Sequence, residues 1–348
     1  MRLLFIIYLI SIINISTAKG ETSPQKVKGI CRLTKEDGYC NLQWASDSKR
    51  FIATNFREGT IVIFKLNANN TSAEKRGIIS TEERKFLWSP DGKKIAYTIF
   101  KEAYGDSGLC IILTEVNNEG EITKEDTIPL RRHWIQEFIW SPDAKKIAFI
   151  DEEGINIMDL TTKKTQLIIK IDCHILTWLP SEIISYIPIE NRDIYGHLTI
   201  FNLNTKEKTI LLPDILIYDA IWCFPKQGPS KVYVRLPLDA MQGDLWMDED
   251  GSNIHVDPGP EVFEDWAPDG SGFLYMDQYF AEQQNIELAK SDFGIIEFIS
   301  PTPTKTLLVN TPDIWEEGPR WSPDKSKIIY LADEGKIEGR IYLLSLKR

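Results

Sequence analysis

Short runs of apolar and β-branched residues, each closed by a cluster of turn-forming residues, recur along the chain. The clearest case surrounds Trp140, where the pattern predicts four consecutive strands, QEFIW, KKIAFI, INIMDL and TQLII, separated by the turns SPDA, DEEG and TTKK. Alternation of apolar and polar positions is typical of strands that bury one face, and the β-branched content favours strands over helices. The pattern therefore predicts an all-β fold built from four-stranded units.

A tryptophan followed by a short turn marks each unit. Clear copies are WASDSKRFIA at Trp44, WSPDGKKIAY at Trp88, WSPDAKKIAF at Trp140, WAPDGSGFLY at Trp266 and WSPDKSKIIY at Trp321, and weaker copies begin at Trp178 and Trp222. Successive tryptophans are 44, 52, 38, 44, 44 and 55 residues apart. A repeat of about 40 to 50 residues is typical of the four-stranded blades of a β-propeller.

The two ends of the repeat region indicate how the ring of blades closes. After Trp321 the chain supplies only a second strand, SKIIYLA, and a third, GRIYLLSL. The missing outer strand is expected to be VKGICRL, residues 27–33, because pairing of the first and last segments leaves no open sheet edge. We expect a seven-bladed β-propeller of four-stranded antiparallel blades. Six blades is the alternative, if the unit at Trp222 is irregular.

The repeated turn has a structural explanation. Proline fixes φ at the first inner position of a tight turn, while serine, aspartate and glycine bond to the backbone or tolerate positive φ. The tryptophan is expected to fill the space between neighbouring twisted sheets. We therefore assign the turn aspartates to blade structure and not to catalysis; they are Asp91, Asp143, Asp269 and Asp324.

The first residues have the layout of an export signal. Arg2 precedes an apolar run over residues 3–13, and the small residues Ser16 and Ala18 follow. Cleavage is expected after Ala18; the alternative, an uncleaved membrane anchor, is disfavoured because a spanning helix needs about 20 apolar residues. The expected division is a signal peptide over 1–18, a short tail over 19–26 and a single propeller domain over 27–348, in a secreted or periplasmic protein.

Charge and cysteine content limit the partners. The net charge is −11, without basic blocks, which disfavours nucleic acid and anionic lipid as partners. We expect a monomer that is peripheral to a membrane at most. Five cysteines are few for a disulfide scaffold, and the odd number leaves at least one unpaired within the chain. Cys31 and Cys40 either form a local disulfide or remain two buried thiols.

The mouth of the propeller's central channel is the expected binding surface. The residues four positions before each tryptophan should lie there: Cys40, Arg84, Gln136, His174, Tyr218, Val262 and Glu317. Our candidates to bind a protein or peptide partner, with a glycan as the alternative, are Arg84, Gln136, His174, Tyr218 and Glu317. These positions show no repeated metal-ligand or paired-carboxylate pattern, so we assign no catalytic residue, metal or cofactor.

The phrase W-[SA]-P-D-G-x-x-[IL]-[AL]-[FY] resembles the WD-like β-propeller repeat of TolB-type periplasmic proteins, from about Val27 to the end of the chain. It is also similar to blades of prolyl-oligopeptidase-type peptidases, whose Gly-x-Ser-x-Gly motif is absent here. The resemblance implies a propeller that acts as a non-enzymatic interaction module. A further similarity, to oligogalacturonate lyases, implies the alternative of an extracellular polysaccharide-active enzyme with a divalent metal near His174.

Overall fold

A computed structural model describes the following parts of the chain: residues 26–81, 85–101, 108–130, 132–189, 194–237, 244–257, 262–279, 290–298, 303–311, 314–333 and 339–347. These residues form 28 β-strands, which confirms the all-β prediction. None of them belongs to a helix that is long and apolar enough to cross a membrane. The division into signal peptide, tail and one domain stays a prediction, because residues 1–25 lie outside the described ranges.

After β1 (Val27–Arg32), five four-stranded sheets follow along the chain, each with its strands paired antiparallel in sequence order. They are β2–β5 (Tyr39–Trp44, Arg50–Asn55, Thr60–Leu66, Ala73–Ser80), β6–β9 (Phe86–Trp88, Lys94–Phe100, Leu109–Val116, Ile122–Pro129), β10–β13 (Glu137–Trp140, Lys146–Asp151, Gly154–Asp159, Lys164–Ile169), β14–β17 (Cys173–Leu179, Ile183–Pro188, Thr199–Asn202, Lys208–Ile210) and β18–β21 (Asp219–Cys223, Lys231–Arg235, Asp244–Asp248, His255–Asp257).

The remaining strands form one continuous sheet of eight. They are β22 (Val262–Trp266), β23 (Gly272–Tyr279), β24 (Lys290–Glu297), β25 (Thr304–Val309), β26 (Trp315–Trp321), β27 (Lys327–Asp333), β28 (Arg340–Leu346) and β1. The order is β1-β28-β27-β26-β24-β23-β22, with β25 also paired to β24.

The predicted count of seven blades, with six as the alternative, is wrong, because the described residues form five separate four-stranded blades. The strands around Trp266 and Trp321 are joined into one sheet, since β24 pairs in parallel with β26 at Ser291 and Trp315. The Ser291 hydroxyl also donates a hydrogen bond to the backbone oxygen of Glu316. Tryptophan spacing cannot reveal this pairing, which depends on β26 beginning at Trp315, early enough to reach β24.

The first strand of each repeat lies on the inside of the ring. These inner strands contact one another around a central axis: β2 contacts β6 and β26, β10 contacts β14, β14 contacts β18, and β22 contacts β26. The ring is also joined at its outer side, where β1 pairs antiparallel with β28, with Ile30 opposite Leu344 and Arg32 opposite Tyr342. The pairing expected for residues 27–33 is therefore present.

The turn after each inner strand is held by its own side chains. In WSPDGKKIAY, Asp91 Oδ1 accepts hydrogen bonds from Ser89 Oγ at 2.6 Å and from the Lys93 backbone N–H at 3.1 Å. Gly92 has a φ of +68°, which glycine adopts without the steric cost that a Cβ brings. The serine–aspartate bond recurs at Ser141–Asp143 and Ser322–Asp324, at 2.7 and 2.6 Å. These aspartates are engaged within their turns.

The repeated tryptophans fill the space between sheets. All seven are at most 8% exposed. Trp44 packs in a cluster with Ile329 and Leu343 of the eight-stranded sheet, and Trp140 packs with Ile111 of the sheet before its own. Truncation of such a side chain to alanine typically costs about 3–5 kcal/mol. The tryptophans therefore hold consecutive sheets together and fix the shape of the channel.

Candidate functional site at the mouth of the channel

Indole hydrogen bonds connect inner strands of consecutive repeats. Their acceptor is the backbone oxygen of the residue directly before the preceding repeat's tryptophan. The bonds run from Trp44 Nε1 to Arg320 at 3.1 Å, from Trp140 Nε1 to Leu87 at 3.2 Å and from Trp266 Nε1 to Ile221 at 2.8 Å. The first of these joins the first repeat to the last.

Side-chain acceptors bridge the other junctions. The backbone N–H groups of Trp88, Leu176 and Trp321 donate to Gln43 Oε1 at 2.9 Å, Glu137 Oε2 at 2.9 Å and Asp265 Oδ2 at 2.8 Å, respectively. At the remaining junction, His174 Nε2 lies 3.2 Å from the backbone oxygen of Tyr218. Each junction between consecutive inner strands thus has a direct polar contact, so the channel wall is a continuous scaffold.

One part of the wall is acidic. Arg320 NH1 lies 3.0 Å from Glu264 Oε2 and pairs with it. Burial raises the pKa of Asp265 to about 6, although Arg320 and the Trp321 N–H favour its charged form. The pKa of Glu317 is also raised, first by partial burial of its carboxyl group and then by the neighbouring Glu264 carboxylate. Partial burial and a like charge both disfavour the ionised form of this carboxyl group.

The structure places four of the five predicted binding residues, while Arg84 lies outside the described residues. Gln136 is exposed directly before β10, and His174 is half-buried on β14. Tyr218 is 44% exposed directly before β18, and Glu317 is exposed on β26. His174 and Tyr218 are in contact, whereas Glu317 lies two inner strands further round the ring. The candidates therefore share one end of the channel without forming one cluster.

We call the end of the ring at which the inner strands begin the mouth face. In antiparallel sheets it includes the loops that lead into inner strands and the loops between second and third strands. Among the described residues, eleven large apolar side chains are exposed, and six of them lie on the mouth face: Phe56, Phe100, Trp134, Ile194, Leu216 and Tyr218. Four lie on outermost strands (Ile30, Ile78, Leu167, Ile210), and Phe224 lies at the opposite end. Exposed apolar surface is thus concentrated at the mouth face.

Two loops of the mouth face combine into an aromatic patch, which we define as Ile194, Tyr195, Leu216 and Tyr218. The rings of Tyr195 and Tyr218 meet edge to face with centroids 6.1 Å apart. An isolated bridge between residues 196 and 217 holds the loops together, with N···O distances of 3.1 and 2.8 Å. Sequence reasoning found Tyr218 only; the missed signal was a pair of apolar runs, DIYGHL and DILIYDA, between strands.

Metal binding and disulfide formation both depend on how the His, Cys, Asp and Glu side chains are placed. In the part of the chain that the structure describes, no group of three or more His, Cys, Asp or Glu side chains is arranged to hold a metal ion. None of the five cysteines belongs to a disulfide, so Cys31 and Cys40 are not bonded to each other. Burial raises the pKa of both Cys173 and Cys223 to about 12, which keeps these thiols protonated and unreactive.

Comparison with known proteins defines the fold class. No protein-family model and no curated protein matches the chain. Among solved structures, it is similar to the β-propeller domain of the Trilobed protease from Pyrococcus furiosus, with 14% identity, 90% of this chain and 97% of that chain covered, and a TM-score of 0.58. It is also similar to the β-propeller domain of Cps50 (Swd1) from Myceliophteria thermophila, with 13% identity, coverage of 93% and 100%, and a TM-score of 0.58.

A third similar structure is an uncharacterized protein from Listeria monocytogenes EGD-e, with 13% identity, coverage of 90% and 97%, and a TM-score of 0.56. Identities this low show the fold and not the activity. Together with the repeats and the ring of inner strands, they establish the chain as a β-propeller of WD-like repeats.

Proposed function

We propose that this chain is a TolB-like β-propeller that acts as a monomeric, non-enzymatic module and binds a protein or peptide partner through the aromatic patch. The observation that carries the proposal is the concentration of exposed apolar side chains on the mouth face, where six of the eleven lie. Contiguous exposed apolar surface on a soluble protein typically marks an interaction site. Tyrosine is also among the residues that contribute most to binding energy at interfaces.

The acidic part of the channel wall suggests the chemistry of the partner. Glu317 is an exposed carboxylate near the start of its inner strand, and the whole chain carries a net charge of −11. Complementary charges guide encounter and exclude like-charged partners. We propose that the partner presents apolar side chains to the aromatic patch and carries a basic side chain nearby.

Export is part of the proposal and is supported by the layout of residues 1–18. A positive residue, an apolar run and small residues at the expected cleavage site form the pattern of a secretory signal. N-terminal sequencing of protein recovered from the periplasm or the medium is expected to start at Lys19. Recovery of the protein only inside the cell, with residues 1–18 attached, would contradict this part of the proposal.

The binding test compares three forms of the mature chain. The patch variant carries Ile194→Ser, Leu216→Ser and Tyr218→Ser. The control variant carries Ile78→Ser, Leu167→Ser and Ile210→Ser on outermost strands, where the side chains are 54%, 39% and 42% exposed, against 51%, 46% and 44% at the patch. Each form is used to capture partners from the native envelope or culture fluid, and the Kd for each captured protein is then measured with purified components.

The proposal expects a partner that binds the wild-type and control proteins alike and binds the patch variant at least about tenfold more weakly, because a tyrosine at the centre of an interface typically contributes about 2 kcal/mol. Near-UV circular dichroism establishes that all three forms are folded. Equal binding by all three forms would place any interface elsewhere and refute the assignment to the aromatic patch.

A further inference from the structure

A groove of about 450 Å³ lies between sheets β10–β13 and β14–β17. Its lining includes Lys146, Lys164 and Lys206, together with Ile157, Ile168 and Leu203. Most of these residues are near the turns that follow first and third strands, so the groove is near the end of the ring opposite the mouth face. Its volume is within the range of about 300–1,000 Å³ that is typical of small-molecule sites.

The lining of the groove holds three lysines and two carboxylates, Asp159 and Glu182, so lysine is in excess by one. Glu182 is paired with Lys146, at 3.1 Å from Oε2 to Nζ. Asp159 Oδ1 accepts hydrogen bonds from the backbone N–H groups of Thr161 and Thr162, at 3.0 and 2.7 Å, which hold its own turn.

Lys164 and Lys206 have no ion-pair partner within the described ranges, although the Lys206 ammonium lies 6.0 Å from the ring centroid of Phe201. In a chain with a net charge of −11, an excess of lysine in one groove is a local reversal of charge. An anion here would gain the Lys206 ammonium as a partner, together with that of Lys164, which lies opposite Asp159 in the pairing of β12 with β13.

The apolar part of the lining indicates what else the ligand should carry. Ile157 and Ile168 come from adjacent strands of one sheet, and Leu203 from the turn after β16 of the next. These side chains can cover an apolar body while the lysines bind its charged group. We propose that this groove binds a small organic anion, in which a carboxylate, sulfonate or phosphate is attached to a compact apolar ring system.

Calorimetric titration with four related probes tests the proposal: naphthalene-2-carboxylate, naphthalene-2-sulfonate, 2-naphthyl phosphate and the neutral naphthalene-2-methanol. The groove variant carries Lys164→Gln and Lys206→Gln. The control variant carries Lys49→Gln and Lys93→Gln, which are exposed lysines in the turns that follow the first strands of two other repeats. The mouth-face patch variant is included because the two proposed sites are independent.

We expect at least one anionic probe to bind wild-type protein saturably at one site, with a Kd raised about tenfold in the groove variant and unchanged in the control and patch variants. Either order of affinity between carboxylate and phosphate supports the proposal and identifies the preferred group. The proposal is overturned if no anionic probe saturates a single site, if the groove variant binds like wild type, or if the neutral probe binds equally well.

Discussion

The environment of Asp265 is set by residues that are distant from it in sequence. It lies in the channel wall and accepts the Trp321 N–H at 2.8 Å, and burial raises its pKa to about 6. The unfolded pKa is about 3.9, so the folded protein binds more protons between about pH 4 and 6. The contribution of Asp265 to stability therefore falls as pH rises through this window, by up to about 3 kcal/mol.

Asp265→Asn should raise the free energy of unfolding at pH 7.5 by about 1–3 kcal/mol, with little gain at pH 4, because the amide keeps an acceptor for Trp321 and carries no charge. Urea denaturation at the two pH values measures the difference. Asp214→Asn, which removes an exposed charge, is the control for the change in net charge. Two outcomes would disprove that the cost comes from burying the ionised Asp265 carboxylate. One is an equal change in the free energy of unfolding for both variants, and the other is a loss of stability in Asp265→Asn at pH 7.5.

At the residue scale, sequence predicts local contacts better than distant ones. The bonds of Asp91 within its turn involve residues two positions away, and turn chemistry alone predicts them. The partner of Asp265 is 56 residues away, so nothing near Asp265 indicates its burial. Leu216 was missed for the same reason, because its loop is joined to a distant loop by the bridge between Gly196 and Ile217.

At the scale of elements, the inner strands are joined to one another by indole hydrogen bonds and by packed tryptophan rings. Trp140 and Trp321 are 6% and 5% exposed, but only Trp140 has an indole hydrogen bond to a neighbouring inner strand. The Trp321 indole N–H has no acceptor among the described residues. A comparison of variants at Trp140 and Trp321 therefore separates two contributions to stability, that of the indole hydrogen bond and that of ring packing.

Trp140→Phe should destabilise the protein by about 1 kcal/mol more than Trp321→Phe, because it leaves the Leu87 backbone oxygen without its donor. Chemical denaturation of the two variants under identical conditions gives the difference in the free energy of unfolding. Equal losses would indicate that ring packing alone accounts for the tryptophans, and that the indole bonds contribute little.

Sequence predicted individual strands well and sheet boundaries incompletely. The four strands expected around Trp140 agree with β10–β13 to within a few residues, because alternation and turn signals are local. The joining of β24 to β26 rests on a single parallel bridge between Ser291 and Trp315. No periodicity in the sequence encodes such a bridge, so the blade count could not be obtained from the repeat alone.

For the whole molecule, closure of the ring at its outer side depends on β1, and five of its six residues pair with β28. Deletion of residues 26–33 should lower the thermal midpoint and promote association, because β28 would then present an unpaired edge. A synthetic peptide of sequence VKGICRL should restore part of the midpoint by occupying that edge. Differential scanning fluorimetry and light scattering measure both effects. A scrambled peptide is the control.

An unchanged midpoint after the deletion would show that the ring is held by its other contacts, including the bond from Trp44 Nε1 to the Arg320 backbone oxygen. At this scale, the spacing of the tryptophans and the incomplete last repeat were sufficient to predict a ring and its closing strand. The aromatic patch and the lysine groove required the structure, since each combines side chains from two consecutive repeats.

The pairing of β1 with β28 has a consequence for biosynthesis. The ribosome makes β1 before every other described strand and β28 after all of them. Until β28 is made, β1 therefore has no partner strand, and this pairing of distant segments forms after the others. If translation stops before β28, β1 has no partner strand. Unpaired strands are prone to aggregation and proteolysis. Closure of the ring therefore requires that translation has passed β28.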